Sequence, residues 1–280
     1  MLKKLLPIIQ WLPHYSPDNL KADLPAGLTV GVMLIPQGMA YAMIAGLPVE
    51  HGLYAALVPQ IIYAITGTSR QLAVGPVAMD SLLVAAGLSA IATVGSENYI
   101  SMAIVLALMM GCIQLLLGIL NAGFLVNFLS KPIISGFTSA AALIIAANQI
   151  SNLSGMPLDR NTKIHHLISD AVDLASQTNN TTLLIGLATI AIILLLSRIK
   201  TRAKLPTALI TVALGIVCVR GFGLETLGVK IVGVIPSGLP TFNVPNLDSA
   251  NISALIPIAL TLAMVAFMEA YSISKSLSEK

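Results

Sequence analysis

Charge is what this 280-residue chain has least of: Asp, Glu, Lys and Arg together make up 10% of it, against 56% hydrophobic residues and a mean hydropathy of +0.89. A soluble domain carries roughly a quarter of its residues as charges, so this chain belongs in a bilayer. Twelve acids against fifteen bases leave a formal +3, too slight and too dispersed for a nucleic-acid or other polyanion surface. Cysteine is nearly absent. Cys112 and Cys218 both fall inside apolar runs, which excludes a disulfide framework or a metal ribbon and predicts small core residues. All four histidines stand in loops or flanks, and neither an HExxH motif nor a Ser–His pair falls within an apolar run. An enzyme, a bound metal and a cofactor therefore find no support. A cleaved signal peptide is not expected, because the first apolar run follows about two dozen amphipathic and polar residues and is followed by many more runs.

What the chain does have is apolar windows of membrane length, about 20 residues each. They fall at 25–45, 52–67, 76–90, 101–120, 133–150, 181–197, 206–222 and 253–272, which predicts eight spans in a transmembrane domain over 25–272. Segments 1–24 and 273–280 are expected on the cytoplasmic side. In that orientation Lys3, Lys4, Lys21, Arg70, Lys131, Arg198, Lys200, Arg202, Lys204, Lys275 and Lys280 lie inside. Arg160, Lys163, Arg220 and Lys230 lie outside. The cluster at 197–204 pins the orientation by the positive-inside tendency, with an anionic-lipid or partner patch as its other reading. Between the fifth and sixth spans, Ile164, Leu167, Ile168, Ala171, Val172 and Ala175 recur at helical spacing and predict a short amphipathic helix on the outer surface. Its neighbours His165 and His166 point about 100° apart with no third ligand near, and read as a solvated pair. Pro236, Pro240 and Pro245 make 223–250 an extended connector.

The third span is too short. From Pro76 to Ala90 a helix rises about 22 Å, against a hydrocarbon core of about 30 Å. Non-helical backbone at that depth is tolerated only where protein buries it or a wet cavity adjoins it. Gly75-Pro76 predicts a helix starting at Pro76, whose free N–H groups around Val77 to Met79 and positive dipole end would seat an anion; an ordinary Pro-kinked helix is the other reading. Two carboxylates lie within spans, where a central charge costs about 2.5–3.5 kcal/mol. Asp80 reads either as a dipole partner or as part of proton coupling. Glu269, near the cytoplasmic end of the last span, reads as interfacial or as functional. Gln37 and Tyr41 stand four apart on one face of the first span, suited to holding an anion through neutral donors. They also suit polar contacts between helices, with Gly27 and Gly31 as a small-residue contact.

Several stretches together carry a family resemblance. Asp23-Leu24-Pro25-Ala26-Gly27, Ile35-Pro36-Gln37-Gly38-Met39-Ala40-Tyr41-Ala42 and Ala45-Gly46-Leu47-Pro48 resemble the start of the sulfate permease (SulP) family of anion transporters. Gly52-Leu53-Tyr54-Ala55-Ala56, Gly67-Thr68-Ser69-Arg70, Ala73-Val74-Gly75-Pro76-Val77-Ala78 and Val234-Ile235-Pro236-Ser237-Gly238-Leu239-Pro240 continue the likeness in order. His51 departs from it, standing where members have Tyr or Ser.

The resemblance implies an all-α polytopic membrane fold of two inverted seven-helix repeats, of which this chain holds the first plus the eighth helix, with the third helix broken. It implies core helices at about 25–120 and 253–272, gate helices at about 133–222, and a STAS domain beyond this chain. An N-terminal fragment that does not transport alone is the expectation. Gln37, Tyr41, Pro76, Val77 and Ala78 match positions that line the family's anion site, and Glu269 matches an acid of proton-coupled members. Asp80 stands where the family is often apolar, so its role rests on the cost of burying charge. The function implied is secondary transport of a small inorganic oxyanion, sulfate or bicarbonate, by an elevator movement coupled to H⁺ or Na⁺. A homodimer in a bacterial plasma membrane is expected of the full-length protein. A nucleobase:cation symporter of the same fold, a dicarboxylate transporter and a passive anion pathway are the alternatives.

Overall fold

The computed structural model describes residues 6–69, 72–120, 122–123, 131–158, 164–198, 207–233, 235, 238–239 and 249–278. Lys3, Lys4, Arg70, Arg160, Lys163, Lys200, Arg202, Lys204 and Lys280 lie outside the described residues, as do Val234, Pro236, Ser237, Pro240 and Pro245 of the connector.

A short turn of helix, α1 (Ile8–Trp11), precedes the long first span α2 (Pro17–Ile44). The start of α2 has a local cause: Ser16 is extended and its hydroxyl accepts from the Asn19 N–H at 3.2 Å, Pro17 takes the first helical turn, and Asp18 pairs with Lys21 at 3.1 Å. The helix therefore begins eight residues before the expected start at Pro25, and Pro25 and Pro36 lie within it. Then come α3 (Val49–Thr66), α4 (Ala78–Ser89), α5 (Glu97–Ile119), α6 (Lys131–Ser154), α7 (Ile164–Asp173), α8 (Asn180–Arg198), α9 (Thr207–Gly221) and α10 (Ser249–Ser278). Leaving out α1 and the amphipathic α7, these helices take up the eight expected spans, with α10 running past its predicted end at 272. The connector after α9 is not wholly extended: Gly223 and Gly228, at φ 59° and 84°, bracket a 3₁₀ turn over Leu224–Leu227. Among the described residues there is no strand, and Pro17–Ile44, Glu97–Ile119, Asn180–Arg198 and Ile252–Tyr271 are long and apolar enough to cross a membrane. The chain is an all-α polytopic membrane protein with its third span broken.

Residues cluster into two units. One comprises Met1–Leu24, Gln37–Thr138 and Pro236–Lys280. Its core is Leu88 of α4, Tyr99, Met102, Val105 and Leu106 of α5, and Leu255, Ala259 and Leu262 of α10. Between lipid-solvated helices there is no hydrophobic drive, so close packing and hydrogen bonds hold them. Gly87 meets α10 so closely that a Cβ there would sit 2.6 Å from Ile258 Cγ2. The buried Tyr99 hydroxyl donates to the Ala45 carbonyl at 2.6 Å, tying α5 to the end of α2. Cys112 is exposed on α5 rather than a core residue, and so is Cys218 on α9: both helices turn apolar surface outward, where lipid is the solvent.

The other unit comprises Pro25–Pro36 and Ser139–Ile235. Asn179 is its clasp. Its backbone N–H donates to the Ser154 carbonyl at 3.0 Å, its Oδ1 accepts from the Thr182 N–H at 2.9 Å as a cap of α8, and its Nδ2 donates to the Leu227 carbonyl at 2.9 Å.

Candidate functional site

The third span has the interruption that its length predicts. Residues 72–77 are not helical, and α4 holds 12 residues, about 18 Å of rise. Six non-helical residues, at up to about 3.3 Å each, can supply the remainder of a crossing. The helix starts at Ala78 and not at Pro76. Pro76 disfavours helical backbone at Gly75, and β-branched Val77 is extended (φ −124°, ψ 143°) and serves as N-cap, its carbonyl accepting from the Ser81 N–H at 3.0 Å. No side chain caps this end. The N–H groups of Ala78, Met79 and Asp80 thus have no acceptor within the helix and carry the positive end of its dipole.

Beside the non-helical run is a cavity of about 790 Å³, lined by Leu72, Ala73 and Val74, by Gln60 and Tyr63 of α3, and by Trp11, Tyr15 and Asp23 of the amino-terminal stretch. Within this lining the Tyr15 hydroxyl donates to Asp23 Oδ2 at 2.9 Å, a bond that raises the phenol above its ordinary range. Gln60 was not singled out from the sequence. Its Nε2 is buried without a partner, and a Cβ at Gly75 would lie 3.6 Å from it. A lone amide in an apolar helix gives no sequence signal of this placement.

The remaining candidates fall into two pairs. Gln37 Nε2 donates to Tyr41 Oη at 3.0 Å along one face of α2. That face is positioned by its neighbour Gly38: a Cβ there would lie 2.9 Å from the Gly52 carbonyl oxygen of α3. This close approach is the small-residue contact of α2, whereas Gly27 and Gly31 have nothing within 4 Å. Asp80 and Glu269 form the second pair. Gly87 meets Ile258; Asp80 stands two turns back from Gly87 and Glu269 three turns on from Ile258, which puts both carboxylates on the facing sides of α4 and α10 within reach of each other's charge. Asp80 Oδ1 is buried with no partner. Among the described residues no hydrogen bond joins the Gln37–Tyr41 pair, the start of α4 and Glu269 to one another.

Chemically this unit offers unsatisfied backbone donors at a helix start, neutral side-chain donors on a neighbouring span, and two carboxylates that share a face-to-face helix contact. Comparison with known proteins places the whole chain. The sulfate permease family model matches residues 20–280. The chain is 38% identical over 284 residues to "Sulfate transporter 4.1, chloroplastic" of Arabidopsis thaliana, covering 99% of this chain and 41% of that protein. A probable sulfate transporter of Mycobacterium tuberculosis is 36% identical over 256 residues, covering 91% of this chain and 45% of that protein. The solved structure of SLC26A9 superposes with a TM-score of 0.89 at 27% identity, over 99% of this chain and 47% of that one. The transmembrane domain of the cyanobacterial bicarbonate transporter BicA shares the fold, with a TM-score of 0.79 at 23% identity over 95% of this chain and 68% of that one. The chain thus spans less than half the length of these curated relatives.

Proposed function

Because the chain belongs to the sulfate permease family, and carries the first seven-helix repeat and eighth helix of that fold, we propose that it is part of a secondary active transporter of a small inorganic oxyanion of the sulfate or bicarbonate class. The observation that carries this reading is the start of α4: uncapped N–H groups at Ala78, Met79 and Asp80, following a non-helical run whose residues 72–74, but not 75–80, line a cavity. In the reading, the anion sits at Pro76, Val77 and Ala78, with Gln37 and Tyr41 as neutral donors that hold it without trapping it. Asp80 competes with the anion for the same positive helix end. A proton or Na⁺ arriving at Asp80 and Glu269 relieves that competition, so cation and anion travel together. An elevator movement of one part of the membrane domain past the other carries both across, in a homodimer with a cytoplasmic N-terminus in a bacterial plasma membrane.

Reconstitution of the full-length protein tests this. Uptake of labelled sulfate, bicarbonate and dicarboxylate is measured against imposed pH and Na⁺ gradients. Saturable oxyanion uptake that follows one of the gradients is expected. Competition by uracil or xanthine without competition by inorganic anions assigns the fold's nucleobase chemistry instead, and anion current independent of any cation gradient assigns a passive pathway. An absence of flux for every anion overturns the reading.

A further inference from the structure

The amphipathic helix α7 (Ile164–Asp173) has an apolar arc wider than the described residues cover. At about 100° per residue, Leu167, Ala171 and Leu174 fall on one side of it. Leu167 is buried to 2% exposure, and Ala171 and Leu174 are half-buried. The arc continues round the helix through Ile168 and Val172, which stand 53% and 69% exposed, before polar residues begin with exposed His165 beside Val172 and go on through Ser169 and Asp173. Leu167 docks the helix on its unit, and two β-branched side chains on the same arc are left outside.

What meets them follows from where the helix is held. It lies between two spans, α6 and α8, whose ends are clasped together: the Asn179 N–H donates to the Ser154 carbonyl, and a Cβ at Gly155 would lie 3.0 Å from Asn179 Cβ. From Asp173 to that clasp run six residues, three of them in the 3₁₀ turn Ala175–Gln177. The carboxyl end of α7 is therefore confined to the level at which α6 leaves the bilayer and α8 enters it. A docked helix at that depth with an uncovered apolar arc has the headgroup–acyl boundary as its neighbour.

We propose that α7 lies in the bilayer interface at the α6–α8 end of the molecule, with Ile168 and Val172 inserted among the lipids and His166 and Asp173 turned to water. The stretch Ile164–Asp173 contains no Lys or Arg, so the partner is the apolar boundary of any phospholipid leaflet and not an anionic headgroup.

The test uses the full-length protein in phosphatidylcholine vesicles, in a background free of other tryptophans, Trp11→Phe included. Val172→Trp and His166→Trp are compared by quenching from brominated acyl chains and from aqueous iodide. Val172→Trp is expected to be quenched by bromine and several-fold less by iodide than His166→Trp, with no change when anionic lipid is added. Equal iodide access at the two positions places the helix in water and overturns the proposal. Shielding of Val172→Trp from both quenchers means that protein covers the arc, and overturns it too. A nitroxide on Val172→Cys, in a Cys112→Ser and Cys218→Ser background, gives the same decision from its oxygen-to-nickel collision ratio without adding a bulky ring.

Discussion

A proline at residue 78 separates the helix start as architecture from the helix start as anion site. Ala78 is the first residue of α4 and follows an extended Val77 at φ −124°, ψ 143°. Both facts suit proline: its ring fixes φ near −65°, which the first helical turn accepts, and it demands extended backbone in the residue before it. The Ala78 N–H bonds nothing within the helix, so its removal costs the fold no hydrogen bond. Ala78→Pro should therefore leave the melting temperature of the full-length protein unchanged. An anion held there loses a charge-assisted hydrogen bond, about 1.5–3 kcal/mol, or roughly ten- to hundredfold in affinity. Val77→Pro is the contrast, since φ −124° lies far from what the ring allows and the change should destabilise the fold itself. Calorimetric titration of sulfate and bicarbonate into purified protein reads the affinity, and thermal unfolding in the same detergent reads the fold. Unchanged anion affinity in an Ala78→Pro protein of normal stability would refute the assignment of these N–H groups to the anion.

Three other changes follow from the geometry. Gln37→Ala removes one neutral hydrogen bond worth about 1 kcal/mol, so the apparent affinity for the anion should fall roughly fivefold without loss of stability, and an unaltered KM for uptake removes Gln37 from the site. Glu269→Gln should abolish dependence of uptake on the driving cation while leaving anion-for-anion exchange; preserved coupling returns Glu269 to an interfacial role. Gly38→Ala sets a Cβ 2.9 Å from the Gly52 carbonyl oxygen, an overpacking cost of about 1–3 kcal/mol against backbone that cannot rotate away. Gly31→Ala meets nothing within 4 Å and should be neutral or stabilising by up to about 1 kcal/mol, so a larger loss of melting temperature in Gly31→Ala than in Gly38→Ala contradicts the packing described.

How much of this was legible in the sequence depends on whether the signal was local. The spans were, because lipid imposes a length and a hydropathy on each helix separately. The break before α4 was, because a 15-residue window cannot cross and Gly75-Pro76 marks where it fails. The start of α2 is written in Ser16-Pro17-Asp18 and not in the hydropathy, which points to where a helix enters lipid and not to where it begins. The helix starts two residues after Pro76 because the extended backbone of β-branched Val77 outweighs the proline's own preference for a first helical turn. The pairing of small residues was not legible: Gly27, Gly31, Gly38 and Gly52 all look alike until two backbones approach, and only Gly38 and Gly52 do. Gln60 was hidden for a similar reason, as its unpartnered amide acquires meaning only from the chain that folds past it at Gly75.

The magnitudes around Asp80 bear on the coupling proposed for it. A charge at mid-membrane costs about 2.5–3.5 kcal/mol, whereas a helix N-terminus repays an acid in its first turn by about 0.3–1 kcal/mol at an exposed site and about 2 at best. The dipole alone therefore leaves a deficit, no hydrogen bond reaches the buried Oδ1, and Glu269 across the α4–α10 contact adds a second negative charge instead of a compensating one. Nothing else described in the fold offsets the difference. In the proposed coupling a proton or Na⁺ offsets it, acting on both carboxylates because each lies within reach of the other's charge. On the proposed reading, that cation releases the helix end for a different negative group, the substrate. Asp80→Asn removes the competition outright. Anion binding in that variant should become tighter and lose its dependence on the cation, with uptake no longer following the gradient; weaker binding that still responds to the cation would mean that Asp80 does not compete for the helix end.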